Sequence, residues 1–207
     1  MLELLTGTGL AMAAGLNAYI PLLALGLASR FLDIVALPPA WAWLENEWVL
    51  VILGVLLVVE FFADKIPAVD TVNDVLQTVV RPAAGGLAFG SGSSAETRAV
   101  TDPAEFFASN QWVPILSGVV LALGVHLLKM AARPVLNIAT AGAAAPAASF
   151  VEDGVSVAMA FLAIALPLLL IIVIPALVIG VILAIRGYRR RRARSATALQ
   201  QPQHPPA

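Results

Sequence analysis

Residues 155–185 read VSVAMAFLAIALPLLLIIVIPALVIGVILAI, about 31 consecutive positions without a charged side chain. A surface helix of a soluble protein alternates apolar and polar faces with a period of about 3.6 residues, and this run has no polar face. A hydrocarbon core of about 30 Å is crossed by about 20 apolar helical residues. Backbone hydrogen bonds must be satisfied internally in lipid, which leaves helices or closed barrels. The rest of the chain agrees, with 60% hydrophobic and 12% charged residues and a mean hydropathy of +0.91. A soluble chain carries about a quarter charged residues. The expected fold class is therefore all-α, a polytopic membrane helix bundle of five to six transmembrane or re-entrant helices. Its 207 residues leave no room for a separate catalytic domain.

The first apolar run, 4–28, follows Glu3 with no Lys or Arg ahead of it, the wrong charge for a signal peptide, and reads as a retained helix. Within it Gly15, Asn17 and Pro21 predict a kink or short break. The connector 30–47, with Pro38, Pro39, Trp41 and Trp43, is expected to lie along a membrane surface. A second crossing follows at 48–62. Residues 70–90 begin polar and end small and apolar, so they either pack inside the bundle or re-enter. Residues 91–111 form a hydrophilic loop that divides the membrane domain, 1–186, into halves 1–90 and 112–186, a candidate pair of three-helix units. A crossing is expected at 112–132, a weak crossing or re-entrant hairpin in the Ala-rich 133–149, and one long kinked helix at 155–185.

Arg186, Arg189, Arg190, Arg191, Arg192 and Arg194 hold half of the basic residues. Six Lys/Arg against thirteen Asp/Glu precede them, a balance of −7, so an acidic membrane body ends in a basic tail. The positive-inside rule places that tail in the cytoplasm, and six crossings counted backwards place the N-terminus there too. The tail, 187–207, is expected to be disordered and to meet anionic lipid headgroups through Arg186 to Arg194. Nucleic acid is not an expected partner. The chain has no cysteine and two histidines, which excludes disulfides and thiolate metal sites. The serines near Gly92 have no neighbouring histidine to serve as base, and no Gly-Lys-Ser/Thr follows to make a phosphate loop. No enzymatic activity and no cofactor are implied.

Charges inside a membrane domain are expensive and face a bundle interior, a wet cavity or a partner charge. Glu60 and Asp64 are four apart, as are Asp70 and Asp74, with Lys65 between the pairs and Arg81 further along. Helical spacing puts each pair on one face. His126, Lys129, Arg133 and Asn137 form a basic stripe at spacings of three and four, and Glu152 and Asp153 precede the last helix. With Asn17 these are the candidate ion- or substrate-binding residues. Two readings stand. The stripes are register-fixing ion pairs in a non-transporting scaffold or assembly factor, or the carboxylates bind a cation or exchange protons in a small transporter or channel-like protein. Oxygen-only ligation favours hard ions such as Mg²⁺, Ca²⁺ or Mn²⁺ over Zn²⁺. A homo-oligomer stays open.

The combination Gly15-Leu16-Asn17-Ala18-Tyr19, then Glu60, Asp64-Lys65, Pro67, Asp70 and Asp74, then Arg81-Pro82, resembles a bacterial membrane family, domain of unknown function 4126. His126, Lys129, Arg133, Asn137 and Glu152-Asp153 are similar to its second polar signature, whereas the Ala-rich 140–149 departs from it. The resemblance implies a multi-pass protein of the bacterial inner membrane and supplies no substrate.

Overall fold

A computed structural model describes residues 2–32, 34–93, 110, 112–140 and 145–199 of the chain. All regular structure among them is helical: α1 (Leu2–Leu16), α2 (Tyr19–Leu32), a 3-10 helix (Pro39–Glu45), α3 (Glu47–Ala63) and α4 (Pro67–Ser93). They are followed by α5 (Trp112–Thr140), α6 (Ala145–Ala165), a 3-10 turn (Pro167–Leu169) and α7 (Leu170–Leu199). The chain divides into two compact units, Met1–Leu170 and Ile171–Ala207.

The first unit is built on α1, α4 and α5. Helix α4 packs along both α1 and α5, and α1 also reaches α6. Small residues allow the close approach. A Cβ on Gly85 would stand 2.8 Å from the carbonyl oxygen of Gly118, and one on Gly15 would stand 2.6 Å from that of Ala122. Without a hydrophobic drive between helices in lipid, such backbone contact is the main source of packing attraction. Helices α4 and α5 flank the polar loop 91–111, most of which lies outside the described residues, so the loop joins direct neighbours.

The predicted break in the first apolar run falls at Asn17-Ala18. The Asn17 side-chain oxygen accepts hydrogen bonds from the backbone amides of Tyr19 (3.1 Å) and Ile20 (3.3 Å), capping α2. Pro21 then sits in the first turn, where its missing N–H is cheapest. Asn46 caps α3 in the same way through the amide of Trp48, 2.9 Å away. The 3-10 helix meets α3 at a bend of 63°, and Arg30 ties the connector down through Glu47 at 2.6 Å. Pro67 opens α4, the favoured place for proline in a helix.

Of the two alternatives for residues 70–90, the structure has the one packed in the bundle, a single continuous helix against α1 and α5. Two expectations are corrected. The Ala-rich 133–149 is no separate crossing, because α5 continues to Thr140 and α6 has begun by Ala145, while 141–144 lie outside the described residues. The apolar 155–185 run is not one helix. Leu166 leaves helical geometry at φ −140°, ψ 54°, and Pro167 starts a 3-10 turn. No polar residue is needed there, since Leu166 still donates to Leu162 and Leu169 donates to Leu166.

The described part of the second unit is helix α7. It carries the arginine run as helix as far as Leu199, where a disordered tail is expected from 187. Residues 200–207 lie outside the described ones.

Two helices, Trp112–Arg133 and Pro146–Ala165, are individually long and apolar enough to cross a membrane, and the bent pair Pro39–Glu45 and Glu47–Ala63 passes the same test when taken together. Leu2–Leu16, Tyr19–Leu32 and Pro167–Gly180 are shorter apolar helices. The first unit is inverted relative to a soluble protein. Val51, Val55, Val58, Val59 and Phe62 of α3 and Val72, Val75, Leu76 and Val79 of α4 are exposed, whereas Glu60, Asp64, Arg81, His126, Lys129 and Arg133 are buried. Apolar side chains outside and charges inside define a membrane-embedded bundle.

Candidate functional site

The buried charges converge from four helices. At the end of α3, Glu60 and Asp64 turn toward Arg81, in the middle of α4, whose side chain is fully buried. Arg81 Nη2 donates to Glu60 Oε1 at 2.9 Å and to Asp64 Oδ2 at 3.4 Å. From α5, Lys129 Nζ reaches Asp64 Oδ2 at 2.9 Å and Glu152 Oε2 of α6 at 3.0 Å. Arg133 Nη2 lies 2.8 Å from Glu152 Oε2 and 3.6 Å from Asp64 Oδ2. Asp64 thus gathers three cations, and Asn73 donates to its other oxygen at 2.6 Å. The acidic and basic stripes read from the spacing meet as one network.

A second limb adjoins the first through the neighbouring residues Lys65 and Asp153. Lys65 Nζ is 3.3 Å from Asp153 Oδ2 and donates to the Phe61 carbonyl at 2.9 Å. The same ammonium lies 3.2 Å from the Phe61 ring centroid and 4.3 Å from that of Phe150, a cation–π arrangement. Asp153 Oδ1 accepts from Asn17 Nδ2 at 3.1 Å. Asn17 therefore spends its oxygen on capping α2 and its nitrogen on α6, which locks the helix break to the charged interior. Ser156 adds a bond to the Ala13 carbonyl at 2.9 Å.

His126 is fixed by partners of opposite kind. Its Nδ1 stands 3.0 Å from Arg81 Nη1, which can only donate, and its Nε2 stands 3.2 Å from the Asp74 carbonyl oxygen, which can only accept. Those bonds require the neutral, Nε2-protonated tautomer. Thr78 lies 3.2 Å from the same Nε2 and donates to the Asp74 carbonyl at 2.9 Å.

Among the described residues, ion pairing in this network uses Glu60, Asp64, Glu152 and Asp153 against Lys65, Arg81, Lys129 and Arg133. Glu60, Asp64 and Asp74 are the buried acids among the described residues, and no described side chain forms an ion pair with Asp74. Its Oδ1, Gln77 Oε1 and Glu60 Oε2 are buried acceptors that meet no donor. Asp74, Gln77 and Arg81 share one face of α4 at spacings of three and four. Tyr19, in the first turn of α2, places its phenol beside Gln77 and in the field of Glu60 and Arg81.

Of the residues singled out from the sequence, Asn17, Glu60, Asp64, Lys65, Arg81, His126, Lys129, Arg133, Glu152 and Asp153 are joined, and Asp74 borders them. The side chains of Asp70 and Asn137 lie outside the described ones. Asn73, Gln77, Tyr19 and the Phe61–Phe150 pair are not among the candidates read from the sequence. Gln77 carried a signal, three residues after Asp74 and four before Arg81, whereas Asn73 and the two rings become neighbours of the charges only in the fold. Among the described residues no group of three His, Cys, Asp or Glu side chains is disposed to hold a metal ion. The preference for a divalent cation gains nothing from this geometry, because basic side chains occupy the clustered carboxylates.

Fold and site define an all-helical membrane protein with a charged, largely self-paired interior. A family model described as Domain of unknown function (DUF4126) matches residues 4–187, and the chain belongs to that family. No curated protein and no solved structure matches it.

Proposed function

We propose that this protein is a small transporter or channel-like protein of the bacterial inner membrane, with an intramembrane carboxylate site for a cation or protons. The observation that carries the reading is the set of buried oxygens without donors, Asp74 Oδ1, Gln77 Oε1 and Glu60 Oε2. Leaving a buried acceptor unpaired costs about 1–3 kcal/mol, and a positive occupant removes that cost. The interruption at Asn17 supports it, because discontinuous helices line the ion sites of transporters. On this reading α1 and α2 act as one broken crossing, the arginine run faces the cytoplasm and anionic lipid headgroups, and both termini are cytoplasmic, with five to six crossings or re-entrant segments in all.

The test is ion flux into vesicles reconstituted with the full chain. Flux of a cation or of protons is expected in the wild type and should be abolished by Asp74→Asn with folding retained. Absence of any flux in vesicles holding folded protein sinks the reading. A non-transporting scaffold or assembly factor then takes its place, favoured by the pairing of four acids with four bases among the described residues.

A further inference from the structure

Glu60 and Asp64 stand one turn apart on α3 and compete for the same nitrogen. Arg81 Nη2 lies 2.9 Å from Glu60 Oε1 and 3.4 Å from Asp64 Oδ2. Asp64 does not depend on it, since Lys129 reaches the same oxygen at 2.9 Å and Asn73 donates to the other at 2.6 Å. The Glu60 side chain, 2% exposed, makes this one hydrogen bond among the described residues. Its Oε2 is buried without a donor, and Arg81 Nε is buried without an acceptor. Acid and guanidinium therefore meet through one N–H···O contact in place of the two parallel bonds that make such a pair strong. Burial favours the neutral form of a carboxyl group, and a neighbouring cation favours the charged form. At Glu60 the two influences oppose each other, with half of the pairing unused.

We infer that Glu60 carries an exchangeable proton: a proton taken from water bonds to Oε2, and Arg81 passes from Glu60 to Asp64. The inference rests on the transport reading and narrows its substrate to the proton. Proton binding makes the carboxylate a neutral carboxyl group and leaves Oε1 as an uncharged, weaker acceptor for Nη2. The full charge on Asp64, already within reach of the same nitrogen, then holds Arg81 more strongly. Loss of the proton to water reverses the exchange, and no electrons are transferred. Helix α3 packs on α2 more than on α4, so a change at Arg81 bears directly on how α3 and α4 are held together. A metal ion suits the position less well. It needs several oxygen ligands, and the acid one turn away is already occupied by Lys129, Arg133 and Asn73. The charged and titratable groups around Glu60 among the described residues are Asp64 on its own helix, Arg81 on α4, Lys129 on α5 and Tyr19 on α2.

The experiment is infrared difference spectroscopy of the full chain in nanodiscs, reading the carbonyl stretch of protonated carboxyl groups. The spectra are compared from about pH 6 to about pH 9, a window in which exposed carboxyl groups stay ionised and a proton carrier must change state. A band that grows on acidification is expected in the wild type, lost in Glu60→Gln and retained in Asp74→Asn. Should Glu60→Gln not fold, Glu60→Asp carries the test, since it keeps a titratable carboxyl group and moves the band in position or midpoint. No such band in the wild type, a band that survives Glu60→Gln, loss of the band in Asp74→Asn alone, or a Glu60→Asp spectrum identical to the wild type overturns the assignment. Vesicles holding the same protein are assayed for flux of protons, Na⁺ and K⁺. The Glu60 band without flux of any ion supports the proton site and removes the transport reading. Flux of Na⁺ or K⁺ with no band overturns the proton site and leaves transport standing.

Discussion

Asp64 holds the interior charge pattern together. Arg81, Lys129 and Arg133 all lie within 3.6 Å of its Oδ2, while Asn73 occupies Oδ1. Asp64→Asn keeps the shape and removes the charge, so Arg81, Lys129 and Arg133 lose the acid they share. Breaking a buried pair from one side costs about 3–5 kcal/mol, because the remaining charge is desolvated and uncompensated. The expected result is a loss of that order, read from denaturant unfolding in micelles. Asp64→Asn combined with Lys129→Met should be less destabilised than the sum of the singles, since the double change removes both signs; strict additivity would show that the two are not coupled. Much of this centre is legible in sequence, because a charge in an apolar chain announces itself by its cost and spacing of three or four assigns it to a face. Asn73, Gln77 and Tyr19 carry no such mark. Neutral polar groups are cheaper at membrane depth, and their role comes from which charges the fold sets beside them.

At the scale of elements, proline and glycine decide where helices begin and how closely they pack. Pro21, Pro39, Pro67, Pro114, Pro146 and Pro167 all fall in the first turn of an element. The break at Asn17-Ala18 was readable because a capping amide precedes a proline. The break at Leu166 was not, since it is made by Pro167 inside an unbroken apolar run, and hydropathy carries no mark of it. The Ala-rich stretch is ambiguous for a related reason: alanine suits a continuing helix as well as a short hairpin, and composition alone does not choose. The crossing of α4 and α5 depends on Gly85 and Gly118, where a Cβ on Gly85 meets the Gly118 carbonyl at 2.8 Å. Gly85→Leu should therefore force the helices apart and strongly reduce the yield of folded protein in size-exclusion profiles. Gly54→Leu, at a position with nothing within 4 Å, should leave the profile unchanged. Equal tolerance at both positions would contradict the crossing.

The first unit sets charged side chains inside and apolar ones outside, and this reversal predicts the sign of a surface mutation. On α3 the outward residues include Val51, Val55, Val58 and Val59, each more than half exposed. Their inward counterparts, Glu60 and Asp64, are 2% exposed. A groove of about 300 Å³ between α2 and α6, lined by Ile20, Leu27, Val157 and Phe161 among others, is equally apolar. If this surface met water, Val55→Arg would be a surface substitution worth within about 0.5 kcal/mol either way. If it meets lipid, an arginine at the centre of a crossing costs about 3 kcal/mol on insertion scales, roughly a hundredfold in equilibrium. Val55 is the middle residue of α3, where the side chain is furthest from either headgroup region and snorkelling helps least. Val55→Arg should therefore lower the fraction of protein that resists alkaline extraction from membranes, while Val55→Leu should not. Wild-type extraction behaviour from Val55→Arg would put that face in water and undo the membrane orientation of α3, including the burial of Glu60 and Asp64 in a lipid-surrounded interior.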